Sequence, residues 1–152
     1  MKNTALWIAL LMLLVPLWTS GQTDPASGKR IVVTKNSPAA IGPYSQGIVA
    51  GGFLFTSGQI PIHPVTGEVP ASIEEQTKQV LENLKAIIEA AGSKMEKVVK
   101  CTVYLKNMDD FAVMNKIYAT YFPNNPPARA TVGISGLAKN ALVEFDAIAI
   151  VN

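Results

Sequence analysis

The chain of 152 residues has few of the side chains on which thiol and metal chemistry depends, with one cysteine, Cys101, and one histidine, His63. A single thiol excludes an intrachain disulfide and any metal site built from several thiolates. Cys101 alternates with aliphatic residues, so we interpret it as a small buried apolar residue. His63 lies in a proline-rich turn without a second imidazole, and we interpret it as a loop residue rather than a metal ligand or general base.

Clustered positive charge and a phosphate-binding glycine loop are also missing. Without residues 1–21, which contain only Lys2 among the charged residues, 12 of the 13 basic residues remain against 11 acidic ones. The basic residues are scattered along the chain, whereas nucleic-acid phosphates require a positive stripe or patch. The composition therefore disfavours nucleic acid as a partner, and with it any RNA-directed activity.

A long uncharged run occurs at the N terminus, from Leu6 to Trp18, after Lys2 and before the small or polar residues 19–21. The run is shorter than the roughly 20 apolar residues of a membrane-spanning helix, and the layout is typical of a secretory signal. We therefore expect a signal peptide over 1–21, a flexible linker over 22–30 and one folded domain over 31–152. The expected product is periplasmic or secreted and not stably inserted in a membrane. The alternative is a membrane anchor formed by an uncleaved N-terminal segment.

The rest of the pattern predicts an α+β domain, with a mixed sheet and two helices packed on one of its faces. Strands are predicted over 31–34, 47–50, 53–57, 98–105, 129–135 and 142–151. A capping box of Ser72 and Glu75 begins the first helix, and Gly92 ends it. Asn107 or Asp109 caps the second helix, which ends before Pro123.

Alternation along the last predicted strand separates its two faces. Val143, Phe145 and Ala147 form an apolar row that suits the helices, while Glu144 and Asp146 share the other row with aliphatic residues. A row that is half apolar and half acidic is a poor solvent surface, so we expect another subunit to cover it. The prediction is a closed homo-oligomer with sites between subunits.

Arg129 stands where a Pro-Pro segment leads into a predicted strand, and such an arginine either pairs with a protein carboxylate or binds an anion. Alternation predicts Arg129 and Thr131 on the face that carries Glu144 and Asp146. If the last two strands pair through residues 136–141, Arg129 lies near Asp146 and Thr131 near Glu144. An arginine and carboxylates at a subunit boundary favour a small anionic substrate and acid–base work on water.

Several segments in order resemble the RidA/YjgF family of reactive intermediate/imine deaminases, over essentially all of residues 31–151. The segments that carry the resemblance are AAIGPYSQG (39–47), TSGQIP (56–61), TGEVP (66–70), NLKAI (83–87) and PAR (127–129). The resemblance implies a chorismate-mutase-like fold, a homotrimer and ligand clefts between protomers.

The same resemblance implies a cofactor-free and metal-free hydrolysis of 2-imino acids, such as 2-iminopropanoate and 2-iminobutanoate, to 2-keto acids and ammonia. It implies that Arg129 binds the substrate carboxylate and that Glu144 orients water and moves protons. The other residues that it places in the substrate pocket are Tyr44, Ser57, Gly58, Asn115 and Thr131. Thr131 stands where many bacterial relatives have cysteine, which argues against a covalent thiol role.

Two other functions compete with the deaminase hypothesis. A trimeric binding or chaperone-like module would use the same cleft to hold a small carboxylate or a partner without significant catalysis. An endoribonuclease is the third hypothesis, and the nearly neutral charge of the domain disfavours it.

Overall fold

Seven strands form one mixed sheet in the computed structural model, which describes residues 23–24 and 28–151. The predicted signal peptide lies outside the described residues. The strands and helices are β1 Thr23–Asp24, β2 Lys29–Val32, β3 Gly47–Ala50, β4 Phe53–Thr56, α1 Ile73–Ala90, β5 Val98–Leu105, α2 Phe111–Tyr121, β6 Ala128–Gly133 and β7 Val143–Ile150. The order of strands across the sheet is β1-β2-β3-β4-β7-β5-β6.

Helix α1 begins and ends where its sequence predicts. The Ser72 hydroxyl accepts a hydrogen bond from the Glu75 N–H at 3.2 Å and donates one to the Glu75 carboxylate at 3.0 Å. This exchange satisfies a backbone donor that the first turn would otherwise leave unpaired. At the other end Gly92 has a φ of 84°, a left-handed conformation that glycine adopts without the penalty of a Cβ.

Helix α2 follows a short 3-10 turn, Met108–Asp110, which Asn107 caps by accepting a hydrogen bond of 3.0 Å from the Asp109 N–H. Both helices pack on one face of the sheet, as predicted, because the buried core joins their apolar residues to one row of each central strand. On β7 that row is Val143, Phe145, Ala147 and Ala149, and all four are buried.

The opposite face of the sheet is covered by neither helix and is rich in apolar side chains. The β4–β7 register places Phe53 beside Ile150 and Phe55 beside Ile148 on this face. Phe53 is 41% exposed and Phe55 is 46% exposed. We call this surface, with Glu144 and the other outward residues of β7, the open face. Neither described helix combines the length and the apolar character that a membrane span requires.

Strand β6 does not pair with β7, so the condition under which the sequence places Arg129 near Asp146 is not met. β5 lies between them, pairing with β6 in parallel and with β7 in the antiparallel sense. Cys101 is opposite both Arg129 and Ala147, and the three side chains therefore share the helix-covered face. The connection from β6 to β7 has to pass over β5, and a pattern of alternation within single strands does not reveal that crossing.

Strand structure also begins before residue 31, inside the segment that the sequence predicts as a linker. β1 pairs with β2, which starts at Lys29, through Thr23 opposite Arg30 and Asp24 opposite Lys29. The Arg30 guanidinium donates a hydrogen bond to the Ala91 carbonyl at the end of α1 at 2.8 Å. This bond attaches the start of the domain to the helix layer.

One extra residue interrupts the pairing of β4 with β7. Phe55 is opposite Ile148, and an unbroken ladder would place Gly58 opposite Phe145, but Gln59 is the residue found there. Residues 56–58 therefore form a β-bulge, which redirects the side chains that follow the strand. The Thr56 hydroxyl accepts a hydrogen bond from the Ala147 N–H at 2.9 Å, replacing the backbone partner lost at the bulge.

Thr56→Val retains the shape of the side chain but leaves the Ala147 N–H without a partner. We expect it to lower the free energy of unfolding by about 1–3 kcal/mol, the usual result of leaving a buried donor unsatisfied. Chemical denaturation followed by circular dichroism measures the change. Thr131→Val is the matched control, because the Thr131 hydroxyl makes no hydrogen bond within residues 28–151. Equal stability of Thr56→Val and wild type would contradict this role of Thr56.

Candidate functional site

Arg129 lies on a support formed by one face of α2. Its guanidinium carbon is 4.5 Å from the ring centre of Tyr118 and 5.7 Å from that of Phe111. Its Nη2 donates a hydrogen bond of 2.7 Å to Asn115 Oδ1. Positions 111, 115 and 118 recur at the spacing of one helical face, so a single element supplies all three contacts. We call Phe111, Asn115 and Tyr118 the arginine cradle.

The cradle borders a cavity of about 380 Å³ at the edge of the sheet, beyond β6. Its lining residues are Asn115, Tyr118, Ala119, Phe122, Pro126, Pro127 and Arg129. Among the described residues, the Arg129 guanidinium forms no ion pair, and Asn115 is its only hydrogen-bond partner. The guanidinium therefore keeps N–H donors for an anion, for which its planar geometry is suited.

Glu144 is held against Gly58 on the far side of the bulge. A Cβ added at Gly58 would lie 2.8 Å from Cδ of Glu144 and still closer to its Oε1, so no other residue fits here without moving the carboxylate. The Gly58 N–H has no hydrogen-bond partner within the described chain. A carboxylate and an unpaired backbone donor thus lie next to each other.

Two buried glutamine side chains fix the loops of the site, Gln46 over residues 34–38 and Gln59 at Ser57 and Gly58. Gln46 accepts a bond from the Thr34 N–H, and its Nε2 donates to the Pro38 carbonyl at 2.7 Å. Gln59 Nε2 donates to the Ser57 hydroxyl at 2.9 Å. These bonds satisfy polar groups of an irregular segment that no strand partner reaches, and so they keep Ser57 and Gly58 in one arrangement.

Tyr44 lies on the neighbouring loop, where its ring is half exposed and its hydroxyl accepts a bond of 3.3 Å from the Ile41 N–H. Together with Ser57 and Gly58 it lines a cavity of about 340 Å³. Most of the other lining side chains are apolar, and they come from residues 38–41 and 60–65. The structure therefore brings together Tyr44, Ser57 and Gly58, as the resemblance implies, with Glu144 beside Gly58.

Burial raises the pKa of Glu144 above its ordinary value of 4.5, and repulsion from Asp146 adds to the effect. Asp146 has a different partner from the one predicted. Its carboxylate accepts a hydrogen bond from the Tyr104 hydroxyl at 2.9 Å, and this bond raises the pKa of Tyr104. Asp146 is therefore not the partner of Arg129, and the expectation that places the two near each other is wrong.

Arg129 and Glu144 lie on opposite faces of the sheet in one protomer. Arg129 is opposite the buried Cys101 on the helix-covered face, whereas Glu144 is opposite Tyr104 on the open face. The sequence prediction that puts Arg129, Thr131, Glu144 and Asp146 on one face is therefore wrong. Thr131 lies on the face of Arg129, opposite Val103, and does not line the cavity beside the cradle.

Cys101 and His63 occupy the environments that the sequence predicts. Cys101 is fully buried in the core, and burial raises the pKa of its thiol to about 11, which keeps it in the unreactive protonated form. His63 Nδ1 accepts hydrogen bonds from the N–H groups of Val65 and Thr66 and so shapes a turn. Within the described ranges, no group of three or more histidine, cysteine or acidic residues is arranged to hold a metal ion.

The aromatic part of the cradle is the feature that sequence analysis missed. Phe111 and Tyr118 are apolar residues at helical spacing, a pattern that most often indicates a buried core face. The signal that could have found them is the polar Asn115 between two aromatic residues of one helical face. Only the parallel pairing of β6 with β5 brings Arg129 onto that face.

Comparisons with known proteins agree on one family. A family model described as endoribonuclease L-PSP matches residues 34–151. A RutC family protein of Pyrococcus horikoshii is 57% identical over 122 residues, which cover 80% of this chain and 97% of that protein. The 2-iminobutanoate/2-iminopropanoate deaminase of Escherichia coli is 47% identical over 124 residues, with coverages of 80% and 97%. The structure of Escherichia coli TdcF with bound serine has a TM-score of 0.79 at 41% identity and covers 81% of this chain and 99% of that one.

The raised pKa of Glu144 predicts a pH-dependent stability difference. The folded state favours the protonated carboxyl, so this contribution is full below pH 4.5 and is lost as the pH rises through the higher pKa of the folded state. Glu144→Gln should therefore be more stable than wild type at pH 7, with a difference that shrinks on acidification and disappears near pH 4. Denaturant titrations across this range measure it. The exposed Glu89→Gln is the control, and a Glu144→Gln protein less stable than wild type at pH 7 would refute the prediction.

Proposed function

The chain belongs to the RidA/YjgF family, whose family model is described as endoribonuclease L-PSP, and from this membership we propose that it is a cofactor-free deaminase of 2-imino acids. The proposed substrates are small, such as 2-iminopropanoate and 2-iminobutanoate, and the products are the 2-keto acids and ammonia. The observation that carries the proposal is a guanidinium held in place with free donors, together with a partly buried carboxylate beside an unpaired N–H.

Arg129 supplies the binding contribution in this proposal. A 2-imino acid has a carboxylate next to the reacting carbon, and a guanidinium binds a carboxylate through two parallel hydrogen bonds. The Asn115 bond and the two rings hold the guanidinium before substrate arrives, so little side-chain freedom is lost on binding. Tyr44, Ser57 and the Gly58 N–H line the opposite part of the pocket.

Glu144 supplies the proton transfers. Water attacks the carbon of the protonated C=N bond, and Glu144 takes a proton from that water as the C–O bond forms. Glu144 then returns that proton to the nitrogen. As the C–N bond breaks and the carbonyl forms, the hydroxyl proton passes to the Glu144 carboxylate, and ammonia leaves and takes up this proton as ammonium. A carboxyl group whose pKa is raised by burial is a better base in its ionised form and stays available as an acid, which suits both steps.

The site in this proposal is shared between protomers of a homotrimer. Arg129 and Glu144 of one chain point to opposite sides of the sheet, so one small substrate cannot contact both within a protomer. The open face offers the apolar surface that a second copy would cover, and oligomers of this type bury such a surface. Arg129 of one protomer would then meet Tyr44, Ser57, Gly58 and Glu144 of its neighbour.

Carboxylate binding without significant catalysis is the second candidate function. The TdcF structure contains serine, an amino acid that carries a carboxylate but no C=N bond. The same arginine cradle would bind such a molecule. This candidate predicts ligand binding without any acceleration of imine hydrolysis.

We also propose that the mature domain acts outside the cytoplasm, with the N-terminal apolar run as its export signal and no stable insertion in the membrane after cleavage. The support is the order of a basic residue, an uncharged run and small residues over 1–21. Nucleic acid is not a partner in this proposal, because the charge of the domain is nearly balanced.

Activity of the two conservative variants tests the deaminase proposal. An amino-acid oxidase generates 2-iminopropanoate from alanine, and pyruvate release is followed with and without the protein. Arg129→Lys should raise KM by roughly 10- to 100-fold through loss of the bidentate charged bonds, and Glu144→Gln should lower kcat by about 100-fold or more. Lys78→Gln, on an exposed helix face, is the control. No acceleration by the wild-type protein would eliminate the deaminase and leave the binding module.

Mixed oligomers test whether the site is shared. A trimer that contains both Arg129→Lys and Glu144→Gln chains has one boundary of three at which the wild-type Arg129 of one protomer meets the wild-type Glu144 of its neighbour, so about a third of wild-type activity should return. Co-expression with two different tags and tandem purification provides the mixed species. Each variant alone is the control, and no recovery in the mixture would show that both residues act within one protomer.

The assembly itself has a direct measurement. Light scattering of the purified protein at micromolar concentration should give three protomers, because the open face exposes apolar residues that water does not solvate well. Phe55→Lys, which places a charge on this face, should lower the mass. A stable wild-type monomer would contradict the shared site.

A further inference from the structure

Tyr118 is buried, with only 4% of its surface exposed, and its hydroxyl lies beside the thiol of Cys101 and makes no other hydrogen bond within the described chain. A thiol is a weak hydrogen-bond partner, so the hydroxyl gains little from it and phenylalanine would fill the same space. The ring of Tyr118 contacts Arg129, whose guanidinium carbon is 4.5 Å from the ring centre. The face of the Tyr118 ring is therefore the part of this side chain that contacts the candidate site.

Two further rings fix the orientation of Tyr118. Its centroid is 4.6 Å from that of Phe122, with the planes tilted by 37°. It is 6.0 Å from that of Phe145, with the planes 14° apart. Phe145 is fully buried, so Tyr118 cannot turn without disturbing the core. The ring that supports Arg129 is thus among the most constrained of the helix layer.

The contact between Tyr118 and Phe145 also connects Arg129 to the part of the site around Glu144. Phe145 follows Glu144 in β7, and its backbone exchanges two hydrogen bonds with Gln59, which comes directly after Gly58. Gln59 N–H donates to the Phe145 carbonyl at 2.8 Å, and the Phe145 N–H donates to the Gln59 carbonyl at 3.1 Å. Tyr118 therefore contacts both Arg129 and Phe145, and the Phe145 backbone holds the end of the bulge beside Glu144.

We propose that Tyr118 is a positioning residue, whose ring holds the Arg129 guanidinium in the plane in which it binds a carboxylate. Asn115 fixes one edge of the guanidinium through Nη2, and Tyr118 fixes its face, so the remaining donors point in one direction. A cation over an aromatic face is attracted by the ring and needs no hydroxyl. The contribution to substrate binding rests on the proposed function, whereas the position of the guanidinium does not.

Arginine side-chain NMR measures that position without any substrate. The chain has two arginines, Arg30 and Arg129, so the Nε–Hε region of a ¹⁵N-labelled sample contains an internal reference. Arg30 bonds to the Ala91 carbonyl, far along the chain from the cradle. We expect the Arg129 signal to be shifted upfield by the Tyr118 ring, to lose that shift in Tyr118→Leu and to keep most of it in Tyr118→Phe. The Arg30 signal should stay in place throughout.

Binding of 2-oxobutanoate, an unreactive carboxylate of the product type, gives the functional readout. Tyr118→Leu should bind it about 3- to 30-fold more weakly than wild type and raise KM for 2-iminopropanoate by a similar factor, with kcat nearly unchanged. Tyr118→Phe should restore most of the loss. Met114→Ala, which removes a buried side chain of α2 outside the arginine cradle, controls for destabilisation and should leave KM unchanged.

The two readouts separate the possible failures. An Arg129 signal that is the same in wild type and Tyr118→Leu overturns the positioning role, whether or not the protein is an enzyme. An equal rise of KM in Met114→Ala and Tyr118→Leu also overturns it, because a general loss of packing would then explain both. If the wild-type protein has no deaminase activity, the proposed function is refuted. If the Arg129 signal nevertheless differs between wild type and Tyr118→Leu, the role of Tyr118 in positioning the guanidinium still holds.

Discussion

The position of β5 between β6 and β7 is the constraint on which the rest of the site depends. Because β5 pairs in parallel with β6 and antiparallel with β7, Arg129 and Ala147 are opposite the same residue, Cys101, on the helix-covered face. The alternation of β7 then sends Glu144 to the open face. One choice of strand neighbour thus separates the cation from the carboxylate by the full thickness of the sheet.

Arg129 and Glu144 are each held by neighbouring residues in a state that suits the proposed role. Arg129 rests on two rings and one amide from a single helical face, an environment in which a guanidinium loses little solvation and keeps its donors. Glu144 lies against Gly58, where burial raises the pKa of its carboxyl. The bulge at residues 56–58 makes this second arrangement possible, because an unbroken ladder would place Gly58 itself opposite Phe145.

The separation of Arg129 from Glu144 also gives the open face a role in the proposed site. A monomer with Phe53 and Phe55 half exposed on an uncovered sheet would present an apolar surface of the kind that subunits bury. Covering that surface with a second copy would bring the two prepared groups of different chains toward each other. Assembly and site completion would then be a single event in the proposed trimer.

Local sequence signals predict most of the strands, both helices and the layer structure. The capping box at Ser72, the stop at Gly92 and the two-residue alternation of β7 are local signals, and the structure agrees with each of them. Tyr44, Ser57 and Gly58, which the family resemblance places in the substrate pocket, line one cavity. The order of the strands in the sheet emerges only in the folded chain, since it depends on contacts between residues far apart in the sequence. For that reason the face of Arg129, its aromatic cradle and its separation from Glu144 could not be read from the pattern of any single strand or helix.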